Sequence, residues 1–347
     1  MSDLCALLGI RHPIVLAPFG GLSSVALTAA VSEAGGLGSY GLYGYDGERI
    51  ARTAAALRDA TDAPFALNIW LPTGDEVAPG PEHDGYAEAL ASLYAEVGMD
   101  APPRPASYLP TLDEQLDAIW DAAPAALSVV FGVPSSELVE EAHRRGIRVI
   151  GTATTVAEAV ALEAGGVDAI VATGAEAAGH RVSFLKPAEQ SLVGLFSLLP
   201  QVADAVSVPV IAAGGIADRR GVAAAFALGA DGVQVGTSFL VTTESAANEA
   251  HRAAIRGTAA DESVLTRAMS GRLSRGAANR VVREIEASGA IAPFPAQNWL
   301  TGRFRAVAGE RGLGELQSLW LGQSAPLARG TAASDVFAEL LVGVPAT

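Results

Sequence analysis

The chain of 347 residues has a single cysteine, Cys5. One thiol cannot close an intrachain disulfide, and it excludes a cysteine-based zinc site. Cys5 is expected to pack as a small apolar residue near the first strand. Positive charge is scarce: 23 Lys and Arg stand against 38 Asp and Glu, a formal net charge of −15. An acidic surface repels phosphate polymers and anionic lipid, so nucleic-acid and membrane partners are not expected. It does not forbid one local anion pocket made from backbone amides. No apolar stretch approaches a membrane span, and no basic leader precedes a long apolar core. A soluble, cytoplasmic location follows as the expectation. The histidines show no i, i+4 or carboxylate pairing of the kind a metal needs, and no metal is expected. Low-complexity tracts are also absent. Only 18% of residues are charged and half are hydrophobic, which provides for a sizeable core.

What the sequence has is alternation. Strand-like runs fall at residues 14–19, 36–40, 65–71, 126–131, 148–152, 169–172, 208–213 and 232–235. Helix-like segments separate them, with Asp46 and Asp218 as expected N-caps. The runs are apolar throughout, as in a parallel sheet buried on both faces. Together they predict an α/β fold, a (β/α)8 TIM barrel over residues 1–240. Residues 74–110 read as irregular, with one helical piece near 86–97. Beyond residue 240 the alternation stops. A small helical domain is expected at 241–309, inserted after the last strand, and C-terminal helices at 310–347 return to the barrel.

The most informative stretch is 208–239, a strand–helix–strand unit with a glycine turn after each strand. Gly214 and Gly215 follow the first strand; Gly236 and Thr237 follow the second. Adjacent turns at strand C-termini expose amides to one anion, as in the phosphate site of a β/α barrel. His180 ends the small-residue loop TGAEAAGH after the strand at 169–172, where it can act as a base or hydrogen-bond donor. Asn68 is a polar amide in an otherwise apolar strand and must find partners if buried. Ala17 and Pro18 can lie flat against a planar ring. Tyr40, Tyr43 and Tyr45 follow the second strand and are candidates to line the mouth. The Arg-rich stretch 266–284 reads as a solvated face or inter-helix clamp.

Six segments together resemble the nitronate monooxygenase family of flavin enzymes, over nearly the whole chain. They are LAPFGG at 16–21, NIWLP at 68–72, EAAGH at 176–180, the glycine-turn unit at 212–240, TRAMSGRLSRGAANR at 266–280 and WLGQSAPLAR at 320–329. The resemblance implies FMN at the barrel mouth beneath a small covering domain. Its phosphate would rest on amides at Gly215 and at Gln234, Val235, Gly236 and Thr237. Asn68 would meet the flavin ring region, and His180 would be the catalytic base or donor. Ala17, Pro18, Thr173, Ala178, Gly179, Gly214 and Gln323 complete the implied cofactor contacts. The implied reaction is oxidation of alkyl nitronates by O2 to a carbonyl compound and nitrite, with a homodimer as the candidate assembly. Two departures stand out: Thr173 occupies a position usually held by Gln, and Ala178 one usually held by Gly. Two alternatives remain: an FMN- and NAD(P)H-dependent enoyl-thioester reductase of the same barrel family, and a non-catalytic flavin- or phosphate-binding barrel.

Overall fold

Short runs of Val, Ile, Leu and Ala can bury both faces only if a sheet is covered on both sides. The computed structural model describes residues 3–346. In chain order its strands are β1 Ile14–Leu16, β2 Gly38–Gly41, β3 Phe65–Trp70, β4 Ala126–Val130, β5 Arg148–Ala153 and β6 Ala169–Thr173. They continue as β7 Gly179–His180, β8 Val210–Ala213, β9 Gly232–Val235, β10 Ser263–Thr266 and β11 Ser274–Ala277. Among the described residues, eight of these form one parallel sheet, ordered β1-β9-β8-β6-β5-β4-β3-β2. A parallel bridge between Val15 and Leu37, the residue before β2, closes the ring. The expected (β/α)8 barrel is therefore the observed architecture.

The helices around it begin where the sequence supplies caps. Asp46 accepts from the Arg49 amide at 2.8 Å and Asp218 from the Arg220 amide at 2.9 Å, as expected from sequence. Outward-facing strand residues such as Leu16, Leu67, Val129, Val149 and Ile170 pack against these helices. Inward-facing Val15, Ala66, Ile150, Val171 and Ile211 fill the barrel. Leu4, Cys5 and Leu8 of the first helix, Asp3–Leu8, join that interior and plug the N-terminal end. Cys5 is buried there, as expected. The C-terminal end stays open for a ligand.

The expectation of an all-helical 241–309 is corrected. Helices Glu249–Gly257, Arg280–Ser288 and Ala296–Glu310 are present, but β10 and β11 form an antiparallel hairpin between them. β11 also pairs with β7, with Ser274 opposite His180 and Arg275 opposite Gly179. Two reasons hid this sheet. Its third strand lies far upstream, so its ladder is non-local. Its residues are Arg, Ser and Gly rather than β-branched. Gly271 makes the hairpin turn with φ +84°, and a Cβ there would lie 2.6 Å from the Ala292 carbonyl. The C-terminal helices expected at 310–347 are corrected in part: after helix Ala296–Glu310 the chain is irregular, with 3-10 turns at Gly314–Leu316 and Ala325–Leu327, until the helix Ala333–Leu341. Residues 74–110 hold two short helices, Asp84–Ala89 and Ala91–Glu96. Leu90, Leu93, Tyr94 and Val97 from this segment share one core with Ile285, Leu300 and Phe304. Two separate stretches of chain thus build one cover beside the barrel mouth.

Candidate active site

A cavity of about 620 Å³ opens at the C-terminal ends of the strands, within the usual range for small-molecule sites. It brings together Ala17, Pro18, Asn68, Thr173, Ala178, Gly179, His180, Gly214, Gly215, Gln234, Gly236 and Thr237. Two expected residues stay outside its wall. The Val235 side chain is buried in the core, because it alternates with Gln234 along β9 and faces the opposite way. Gln323 instead ties the C-terminal segment down: its amide donates to the Glu176 carbonyl at 3.0 Å, while Gly322 and Ser324 on either side do line the cavity. Tyr43 and Tyr45 also line it; Tyr40 does not, and its hydroxyl lies 3.4 Å from that of Tyr45.

One end of the cavity is made of backbone. Gly214 and Gly215 have φ of +97° and +73°, a conformation that costs other residues energy. A Cβ on Gly214 would come within 3.2 Å of the Gly174 carbonyl and the Ala177 amide. Within the described residues, the amides of Gly215, Gly236 and Thr237 have no acceptor. These turns follow β8 and β9, which are neighbours in the sheet. Unpaired amides at adjacent strand ends fit a phosphate or similar anion.

The other end carries side chains. Asn68 is buried and donates to the Ser128 hydroxyl at 2.7 Å and to the Ser128 carbonyl at 3.1 Å. Among the described residues its amide oxygen receives no donor, which leaves it an acceptor at the cavity wall. His180 lies edge-on to Trp70, ring centres 4.8 Å apart, with Trp320 at 5.6 Å. Its Nε2 is 2.7 Å from the Ser270 hydroxyl, which itself donates to the Arg272 carbonyl. That arrangement assigns the proton to Nε2 and the lone pair to Nδ1. Burial first, then the Arg272 and Arg305 guanidiniums, push the imidazole pKa down to about 3. His180 is therefore neutral at every ordinary pH. The loop bearing it is pinned by Arg181, which donates to the Thr173 and Gly174 carbonyls at 3.1 and 2.9 Å, and by Arg275, which donates to the Ala175 carbonyl at 3.0 Å. The other histidines are structural: His251 meets the Trp320 carbonyl at 2.8 Å and His143 the Asp168 carboxylate at 2.9 Å. Among the described residues no cluster of His, Cys, Asp or Glu could hold a metal, and no helix is long and apolar enough to cross a membrane.

A parallel barrel with unpaired turn amides and a neutral imidazole at its C-terminal mouth defines an enzyme of the α/β-barrel class. The chain belongs to the nitronate monooxygenase family, whose model matches residues 1–343. It is 37% identical to a probable nitronate monooxygenase of Staphylococcus aureus, over 98% of this chain and 96% of that protein. Among solved structures it resembles nitroalkane oxidase from Streptomyces ansochromogenes, with a TM-score of 0.87, 36% identity and coverage of 98% and 96%. It also resembles FabK from Thermotoga maritima, with a TM-score of 0.77, 30% identity and coverage of 98% and 95%.

Several residues of the site carried no assigned role in the sequence reading. Trp70, Ser270 and Trp320 lie inside the NIWLP, TRAMSGR and WLGQS segments, so the motif marked them without saying what they do. Arg272 corrects the reading of 266–284 as a solvated face: it is buried, and stacks on Phe131 and Phe294 at 4.6 and 3.8 Å. Arg305 had no motif at all to announce it.

Proposed function

We propose that the cavity holds FMN and that the protein oxidises alkyl nitronates with O2, giving a carbonyl compound and nitrite. The observation that carries this reading is the union, in one cavity, of unpaired amides at two adjacent strand ends with a single neutral imidazole. The residues present fit the cofactor. Gly214, Gly215, Gly236 and Thr237 would take its phosphate. Asn68, Gln234 and Thr173 would meet the polar edge of its ring. Ala17 and Pro18 offer a flat, side-chain-poor floor. When bound, the flavin supplies the electron acceptor.

The chain's own residues then set which form of the substrate is favoured. Nδ1 of His180 has a free lone pair, so it can accept a proton. A base this weak is poorly matched to the α-proton of a neutral nitroalkane, since proton transfer is best served by a pKa near the working pH. A preformed nitronate needs no such removal. The site therefore favours the nitronate over its parent nitroalkane, with His180 accepting a proton only from the neutral form. The Thr173 hydroxyl is shorter than the Gln usual in the family and offers one oxygen in place of an amide; Ala178 adds a methyl to the wall.

The test is anaerobic. Nitronate should bleach the bound flavin, and NADH should not; rapid bleaching by NADH with turnover of an enoyl thioester would install the reductase alternative instead. His180→Asn should lose activity on neutral nitroalkanes, by less than the roughly 10²–10⁴-fold of a well-matched base, and on preformed nitronates less still. Equal losses on both would remove proton abstraction from the role of His180.

A further inference from the structure

Two guanidiniums act on His180, and they differ in one respect. Arg272 pairs with Asp75 and Glu76, so its charge is answered inside the protein. Arg305, on helix Ala296–Glu310, has no carboxylate partner among the described residues. Its Nη1 donates to the Ser318 hydroxyl at 2.8 Å and its Nη2 to the Asn298 side-chain oxygen at 2.9 Å, both neutral groups. Asn298 in turn donates to the Tyr43 hydroxyl at 3.1 Å. The buried Nε of Arg305 has no acceptor. Burial lowers the Arg305 pKa to about 10, which still leaves it charged at neutral pH. Arg305, Asn298, Ser318 and Trp320 line the same cavity as His180. Arg49 lines it too, but is exposed at the rim over the Tyr45 ring.

A part-buried cation without a counter-ion is costly. This chain has 38 carboxylate side chains and places none against Arg305. Its hydrogen bonds fix the guanidinium in place without neutralising it. Such an arrangement suits a residue whose counter-ion arrives with the ligand.

We propose that Arg305 is the anion-recognition residue of this cavity, and that it takes the planar, negatively charged NO2 end of a nitronate. The proposal rests on the nitronate reading given above and sharpens it. A planar guanidinium matches two oxygens in one plane better than a point charge does. A neutral nitroalkane brings no formal charge to answer Arg305, so the residue selects the anion. Neutral His180 cannot do that work, which leaves Arg305 as the partner for the substrate's charge.

Nitrate, a flat oxyanion of similar shape, is the probe. It is titrated calorimetrically into the purified wild-type protein, Arg305→Met and Arg305→Lys, with melting temperature and flavin content recorded for each. The wild type should bind nitrate in competition with nitronate. Arg305→Met should weaken nitrate binding by about 10- to 100-fold, the loss of a charge-assisted contact, and Arg305→Lys should retain most of it. The His180 imidazole, followed by NMR, should titrate at higher pH in Arg305→Met and not in Arg305→Lys. A merely structural arginine would move neither readout in this pattern. Nitrate bound equally well by a folded Arg305→Met, or not bound by the wild type in the millimolar range, overturns the proposal. Should Arg305→Met not fold, nitrate binding by Arg305→Lys must fade at a lower pH than that of the wild type, because the burial that lowers Arg305 to about 10 acts in Arg305→Lys on a group that starts lower, ordinarily about 10.4; identical pH behaviour overturns it. A wild type that binds nitrate through Arg305 yet is not bleached by nitronate keeps the anion site and loses the nitronate reading.

Discussion

Gly215→Asp separates the phosphate end of the cavity from the fold that carries it. Gly215 has φ +73°, and a Cβ there would lie 3.8 Å from Cβ of Glu176, an ordinary contact. The fold therefore has room for a side chain. The left-handed backbone costs an alanine about 1–2 kcal/mol, and Asp less. A chain of this size should lose only about 2–4 °C of melting temperature per kcal/mol. Binding should suffer far more. The aspartate places a carboxylate where an anion is to sit. At an effective dielectric of 20, two charges about 4 Å apart repel by about 4 kcal/mol, or roughly a 10³-fold loss of affinity. Gly215→Ala is the control, because it imposes the same backbone strain without the charge. FMN is titrated into flavin-free protein and its fluorescence followed. Gly215→Asp should bind at least about 100-fold more weakly than Gly215→Ala, and added salt should narrow the gap. Equal affinity in the two variants would move the phosphate elsewhere and refute the reasoning.

Two further outcomes follow from buried groups. The Glu158 carboxylate accepts from the Thr154 amide and hydroxyl, both at 2.7 Å, and from the Phe184 and Leu185 amides at 2.7 and 3.3 Å. Glu158→Ala strands all four donors and should cost about 3–5 kcal/mol, read as a lower denaturation midpoint with faster amide exchange at Phe184. His180, with its pKa near 3 in the folded protein and 6.5 ordinarily, is proton-free when folded and protonated when unfolded between those values. Stability should thus fall as pH drops below 6.5, by up to about 1.4 kcal/mol per pH unit, and denaturant midpoints of His180→Asn should show a shallower acid slope; an unchanged slope would place the imidazole in water.

The barrel was legible because its determinants are local. Most strands from β1 to β9, apart from the short β7 and the Gly-Ser-Tyr-Gly of β2, are largely apolar runs, and helices lie between. Asp46 and Asp218 cap as read, and Gly214 and Gly215 sit where positive φ is required. The cover was misread because its determinants are distant. The Ser-Arg-Gly-Ala of β11 becomes a strand only against Gly179–His180, and Leu90, Leu93 and Tyr94 acquire a core only when Phe304 and Leu300 arrive from the other end of the chain. The glycine turns and His180 could be picked out individually from their positions after strands. Ser270, Arg272 and Arg305 could not, since each matters through what it meets across the cavity. Val235 sends its side chain into the core by alternation along β9, which leaves only its main chain for the contact the motif implied.

That division has a functional counterpart. The barrel itself supplies the backbone cradle, at β8 and β9, and the buried Asn68. Much of what sets the chemistry of His180 comes from the cover: Ser270 bonds its Nε2, Arg272 and Arg305 add to the burial that depresses its pKa, and Trp320 packs beside it. Even the strand bearing His180 is held in the cover's sheet rather than the barrel's. The unpaired amides at those turns belong to the barrel's own backbone, so their geometry is that of the barrel. Side chains on the hairpin and on helix Ala296–Glu310 can change without disturbing that geometry. The side chains that act on His180 from the cover, Ser270, Arg272, Arg305 and Trp320, all lie after residue 260, outside the glycine-rich unit that first marks the fold.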